Sequence, residues 1–304
     1  MTRFNPYEEI SKKFIEYFEN EESTFCPHEW ARTGVPRNLH TGRTYNGVNV
    51  LLLWMAMEEN EWENSLFATF RQIAEISKMK KFEDETCLVR KGSKGTSVCF
   101  WKPIEETHEK DDEEITIKRA ILRLYRVFNI DQIECSDKVR EYLEKHTLGI
   151  GNDDDPIGRI DEFIKNIGSP EKFGGDIAAY NWAKDLIKMP HKKKFASIDS
   201  YYSVRFHEEV HRTGRGKDKG GLDRDIENRF GTDKYAFEEL IAELGAAFLC
   251  ADFGIKQDEW RKQAEYVSVW CRRMKEDSGA IFRAAGDASR AVAFLHELQP
   301  EKGE

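Results

Sequence analysis

The chain has 304 residues, 39% of them hydrophobic and 34% charged, which is enough for two domains with cores of their own. It contains no apolar run of the roughly eighteen residues a membrane span needs, and Met1 to Pro6 lacks a basic-then-apolar export signal. A net charge of -9 excludes a nucleic-acid binder that uses its whole surface, though not one with a local basic groove. The six cysteines (Cys26, Cys87, Cys99, Cys135, Cys250 and Cys271) show no paired spacing. They read as reduced thiols of a cytoplasmic protein, not as a disulfide frame or zinc ribbon.

In chain order, Tyr7, Ile10, Phe14, Ile15 and Phe18 repeat at helical spacing and predict an amphipathic helix over 5–20. Residues 30–36 read as irregular. Gly42 and Gly47 mark turns, and the apolar run after them predicts a buried helix through Trp54. Another helix is expected from Phe67 towards Ser77. Residues 87–102 read as two strands joined by the basic, glycine-rich turn Arg90-Lys91-Gly92-Ser93-Lys94-Gly95. The acidic run 105–114 reads as a mobile, solvated loop, and 121–129 as a strand. That run carries about seven acidic side chains against one lysine. The rest of the first 130 residues then holds about 18 basic against 15 acidic groups, so the N-terminal body is nearly neutral to basic.

A helical pattern from Ser136 breaks near Gly151, a loop runs to Pro156, and a helix follows to Gly168. The boundary between domains is placed at Cys135, giving 1–135 and 136–304 in an α+β, two-domain chain. Two short apolar pieces, 177–180 and 185–190, read as strands. Pro190 ends the second and marks it as a sheet edge, where an extended peptide can be added. Helices are expected over 256–275 and 279–298, and no internal repeat is evident.

Between these lies Phe206-His207-Glu208-Glu209-Val210-His211, a His-Glu-x-x-His pattern. Tyr202, Phe206 and Val210 give the segment a buried stripe, and Thr213-Gly214 stops it. On a helix His207 and His211 stand one turn apart on one face, where one zinc ion can take both. Glu208 is placed to take a proton from an attacking water as general base. The third ligand is sought in the next helix, with Asp233 as its cap, Leu240, Leu244 and Phe248 as its stripe, and Gly254 at its end. Its carboxylates interrupt an apolar run and need a cationic partner when buried. Glu239 is the expected third ligand and Glu238 its competitor, since sequence does not settle the helix phase. Glu243 is expected behind a ligand histidine, accepting its free ring N–H. Tyr201, Tyr202 and Tyr235 are the available oxyanion donors.

These blocks, in one order, resemble the plasmid-borne antirestriction proteins of the ArdC type. In the first half the likeness rests on Gly42-Arg43-x-Tyr45-x-Gly47-x-Asn49-Val50-Leu51-Leu52-Leu53-Trp54, Phe70-Arg71-Gln72, Val89-Arg90-Lys91-Gly92-x-Lys94-Gly95-Thr96, Phe100-Trp101-Lys102 and Tyr125-x-Val127-Phe128-Asn129. In the second half it rests on Tyr201-Tyr202, His207-Glu208-x-x-His211-x-Thr213-Gly214, Phe230-Gly231, Tyr235-Ala236 and Glu238-Glu239-Leu240-x-Ala242-Glu243-Leu244. The resemblance implies a single-stranded-DNA-binding domain followed by a zincin-like metallopeptidase domain, with zinc or manganese on His207, His211 and Glu239. It implies a mobile-element protein that shields incoming single strands, occupies a restriction enzyme, or cleaves a host protein. The alternative is a DNA-binding accessory whose metal is structural. The chain departs from the pattern at Arg212, where an aromatic is expected, and at Gly221-Leu222-Asp223-Arg224, where arginine is expected before leucine. Single-strand binding needs cations for phosphates and aromatic faces for bases. Arg43, Arg71, Arg90, Lys91, Lys94 and Lys102 are the candidate cations, with Tyr45 and Trp101 for stacking.

Overall fold

The computed structural model describes residues 5–19, 33–82, 85–110, 113–147, 155–224, 232–255 and 264–300. Expected segments at 30–32, 148–154 and 256–263, the block Phe230-Gly231 and Cys26 lie outside these residues. The chain is a mixture of helices and sheets in two compact units. One holds Pro36–Tyr45 and Asn49–Gly149; the other holds Tyr7–Val35, Asn46–Val48 and Ile150–Glu304. A cut after residue 135 therefore runs ahead of the last helix of the first unit, while the N-terminal helix clusters with the second.

In the first unit, β1 (Arg37–Asn38), β2 (Leu66–Thr69), β4 (Thr96–Lys110) and β5 (Glu113–Asn129) form a sheet of order β1-β2-β5-β4. Helix α2 (Val48–Glu59) is buried from Val50 through Met57, as an all-apolar run requires. Residues 66–69 are strand, and helix α3 (Phe70–Ser77) begins only at Phe70. The expected start at Phe67 is thus too early by three residues. The reason is a capping box: Thr69 accepts from Gln72 N while the Gln72 side chain accepts from Thr69 N. β3 (Cys87–Val89) pairs with β6 (Ile133–Cys135), not with β4, and Leu39, Ile73, Ile76, Phe82, Ile130, Ile133, Val139 and Leu143 fill the core beside them. Val139 and Leu143 come from α4 (Asp137–Thr147).

Of the acidic run, residues 105–110 and 113–114 are strand and not loop. β4 and β5 stay paired from Thr96↔Val127 out to Lys110↔Glu113, while β2 joins β5 only at residues 127–129. Ile104, Thr107, Ile115, Thr116 and Ile117 flank the acidic residues, and these β-branched positions carry the strand through the charge. The outer edge of β4 is closed at one rung. The Asn49 amide donates to Cys99 O at 2.8 Å and accepts from Cys99 N at 2.6 Å.

In the second unit, α1 (Pro6–Glu19) buries Ile10, Phe14 and Phe18, with Phe18 against Trp270 of α8 (Ala264–Glu276) and Tyr7 against Phe282 of α9 (Ala280–Glu297). Helix α5 (Pro156–Ile167) runs from an Asp155 cap to Gly168 in the left-handed conformation, φ 65°. A small sheet has the order β7 (Glu171–Phe173), β9 (Leu186–Met189), β8 (Ala179–Asn181). This corrects the expected edge: β9 is central, and β7 and β8 are the edges. Pro190 falls just past β9, so its missing N–H removes no rung of the ladder. Helix α6 (Ile198–Thr213) starts at a Ser197 cap and α7 (Asp233–Phe253) at a Thr232 cap, not at Asp233. The five described cysteines are free, and burial pushes the Cys87 thiol up to about 11. No helix among the described residues is long and apolar enough to cross a membrane.

Candidate metal centre

Helices α6 and α7 lie close because Gly245 has no side chain. A Cβ there would sit 2.7 and 2.9 Å from the two methyls of Val210. This approach brings the histidines of α6 against the carboxylates of α7. His207 Nε2 and His211 Nε2 are 2.9 Å apart. His207 Nε2 lies 3.4 Å from Glu239 Oε2, and His211 Nε2 lies 3.5 Å from Glu239 Oε1. Ligand atoms about 2.05 Å from a tetrahedral zinc stand about 3.3 Å from one another, so the three side chains match the spacing one ion imposes.

Charge points the same way. Burial opposes a charged His207 ring, but Glu243 and Glu239 outweigh it and its pKa is raised. Burial likewise opposes a charged His211, and Glu239 and Glu238 lift it to about 9. Two protonated rings, however, put two N–H groups into one 2.9 Å gap. A single divalent ion shared by both nitrogens removes that conflict and answers the buried carboxylates as well.

The outward-facing ring nitrogens are held from behind. Glu243 Oε1 lies 3.0 Å from His207 Nδ1, and Glu238 Oε1 lies 3.3 Å from His211 Nδ1. Glu238, the competitor for third ligand, thus stands behind the second histidine. Its own carboxylate is gripped by Arg224, whose Nε and Nη2 donate to Oε2 and Oε1 at 3.1 and 2.8 Å. Arg224 also donates to Thr213 Oγ1 and to Val210 O, at the end of α6. The strand-like return 221–224 delivers it there: Leu222 N bonds Thr213 O, and Arg224 N bonds Gly214 O. Gly221 is required, since a Cβ there would meet Arg215 O at 2.0 Å.

Glu208 is 6% exposed and accepts a 2.6 Å bond from Tyr180 N, on the open edge of β8. Burial raises its pKa, with the two histidines pulling the other way. A cavity of about 300 Å³ opens here, lined by Ala178, Ala179, Tyr180, Trp182, Tyr235 and the His-Glu cluster. Of the three oxyanion candidates only Tyr235 lines it. Tyr201 packs edge-on against Phe195, and the Tyr202 hydroxyl bonds Asp161 at 2.6 Å. Arg212 forks onto Asp185, in the β8–β9 turn, at 2.9 and 3.1 Å and onto Ser169 at 3.0 Å. It fixes the edge strand and does not enter the cavity.

Residues 4–128 match the family described as the N-terminal domain of the anti-restriction factor ArdC, and residues 158–287 match the zincin-like metallopeptidase family. The metal-free crystal structure of the antirestriction ArdC protein from the R388 plasmid is 32% identical, with a TM-score of 0.76, covering 97% of this chain and 98% of that one. The chain belongs to the ArdC antirestriction family. The Mn(II)-bound structure of the R388 protein aligns over 99% of this chain and 100% of that one, at 28% identity and a TM-score of 0.73. An uncharacterised protein of Sinorhizobium fredii is 29% identical over 97% of this chain and 92% of its own length. Two Escherichia coli DNA primases named TraC match at 29% and 28% identity, the ArdC-like chain spanning only 17% and 27% of their lengths.

In the ArdC N-terminal domain the expected DNA contacts are scattered. Arg43, Arg90, Lys91, Lys94 and Lys102 are exposed. Gln132 pins the basic turn by accepting from Arg90 N and donating to Lys94 O, and Gly92 takes φ 89° there. Arg71 is exposed but bonded to Glu75 at 2.9 Å. Tyr45 is half-buried with its hydroxyl accepting from Asn38. Trp101 is 41% exposed, on the face of β4 that also carries buried Cys99.

Proposed function

We propose that this ArdC-family chain binds single-stranded DNA through its N-terminal unit and cleaves peptide bonds with a divalent ion, zinc or manganese, held by His207, His211 and Glu239. The observation that carries the peptidase reading is the convergence of those three side chains on one wall of a cavity whose other wall is an open strand edge. A divalent ion there supplies Lewis-acid polarisation of a carbonyl and acidifies a water. Glu238 and Glu243 hold the ring tautomers so that both Nε2 atoms face the ion. Glu208, its pKa raised by burial, takes the proton of the attacking water and passes it to the leaving amine. An extended peptide laid along β8 brings its backbone beside Glu208, with Tyr235 across the cavity as oxyanion donor. The substrate is a restriction enzyme or another host protein.

The test is metal content and peptide cleavage by the purified chain. Glu208→Gln retains the metal and loses cleavage, while His207→Ala loses both. Full proteolysis by Glu208→Gln refutes the assigned base. The bond from Tyr180 N to Glu208 favours a second reading, in which the carboxylate is tied up and the metal is structural in a DNA-binding accessory. Protection of DNA in cells by the Glu208→Gln variant separates the two: the accessory reading expects protection to survive.

A further inference from the structure

We propose that one face of the β4–β5 ribbon, carrying Phe100, Lys102, Ile121, Arg123 and Tyr125, is the surface on which a single-stranded nucleic acid lies, with bases stacked on Phe100 and Tyr125. The inference rests on the single-strand reading above and says where the strand binds. Register assigns the face. Val98 lies opposite Tyr125, Phe100 opposite Arg123, and Lys102 opposite Ile121, so these six side chains share one side. Ser97, Cys99 and Trp101, opposite Arg126, Leu124 and Leu122, share the other.

The two faces differ in what covers them. On the second, Cys99 is buried, Ser97, Leu122 and Leu124 are half-buried, and Trp101 and Arg126 are exposed at its two ends, so its middle is packed. On the first, only Val98 is buried; Phe100 is 52% exposed, and Ile121 and Tyr125 are each 44% exposed. Ribbons without a partner on one side carry polar residues there, and three large apolar groups in a row mark a binding surface. The charge on the face selects the partner. Its six side chains include two exposed cations, Lys102 and Arg123, and no carboxylate, within a chain of net charge -9. Arg123 lies directly across from Phe100, and the Phe100 and Tyr125 rings meet edge to face at 5.9 Å and 85°. Aromatic faces interleaved with cations suit a polymer of flat bases joined by phosphates, and the contact tolerates any sequence.

The test is fluorescence anisotropy of a labelled oligothymidylate with the whole chain at low salt. Phe100→Ala and Tyr125→Ala each weaken binding roughly 5- to 150-fold, and Phe100→Leu, which keeps bulk but has no ring, weakens it in the same direction. Phe100→Tyr restores it. Lys102→Gln and Arg123→Gln each reduce the slope of log affinity against log salt by about 0.7. Phe70→Ala, which removes a still more exposed ring on α3, leaves binding unchanged. If the wild-type chain binds and neither Phe100→Leu nor Tyr125→Ala weakens it, the strand lies elsewhere and this inference is overturned while the single-strand reading stands. If the wild-type chain does not bind, the single-strand reading itself fails and takes the inference with it. Self-association by sedimentation that Phe100→Leu abolishes, with oligothymidylate affinity unmoved, makes the face a contact between copies and overturns the inference too.

Discussion

Arg224 touches no proposed ligand of the ion, yet its loss should be felt there. Its side chain and that of Glu238 are each only 9% exposed, so their fork is largely shielded from water. Arg224→Ala leaves Glu238 with the His211 ring, at 3.3 Å, but without its cation. The carboxylate is then free to rotate, and the tautomer and tilt of His211 are no longer fixed. Removing a partner of this kind typically costs 10- to 100-fold in metal affinity, or about 1.4 to 2.8 kcal/mol. The same arginine ties the last turn of α6 through Val210 O and Thr213 Oγ1, so a fall in thermal stability accompanies the loss. Arg224→Lys separates the two effects. It keeps the charge but not the fork, so it should recover stability more fully than metal affinity. Chelator competition with Zn²⁺ on the purified chain measures the affinity, and thermal unfolding measures the stability. An Arg224→Ala chain that holds zinc as tightly as wild type sinks the reasoning.

Gly245→Ala forces a methyl into Val210 and should cost about 1–3 kcal/mol, lowering metal affinity as α6 and α7 part; Val210→Ala on the same chain should return part of both in a double-mutant cycle. Arg205, 1% exposed, forks onto Glu209, 0% exposed, at 3.0 and 2.8 Å and also reaches Glu171. Arg205→Met leaves that buried carboxylate without its cation, with the Ser169 hydroxyl still donating to it at 2.5 Å, and should cost about 3–5 kcal/mol in denaturant unfolding, whereas Arg205→Met with Glu209→Leu should recover most of it. Saturating zinc should raise the unfolding temperature of the wild-type chain and leave that of His207→Ala unmoved, as linkage requires of an ion bound only by the folded site.

The cluster of two histidines and facing carboxylates was legible because four-residue spacing puts His207 with His211 and Glu239 with Glu243 on single helix faces. The phase of α7 was not, and with it went the role of Glu238, which only packing against α6 decides. Arg224 was hidden for a different reason: it arrives from a return loop whose path depends on Gly221 and three backbone bonds, not on periodicity. The start of α3 was written in Thr69-x-x-Gln72, but the apolar run from Leu66 masked it. The acidic run misled because charge density argues for a loop while the ladder of β4 and β5 needs only backbone pairing. Trp101 and Lys102 are neighbours in the sequence, but alternation along β4 puts them on opposite faces, with Phe100 beside Lys102.

The amide of Asn49 has a further consequence. An outermost strand offers each incoming polypeptide a donor and an acceptor per rung, and a planar amide carries one of each. By occupying both main-chain groups of Cys99, one side chain leaves nothing at that rung for a foreign strand to grip. A ribbon this long, otherwise an invitation to fibril growth, is thereby stoppered at its base. Asn49→Ala should accordingly show itself first as aggregation on storage, before any change at the metal.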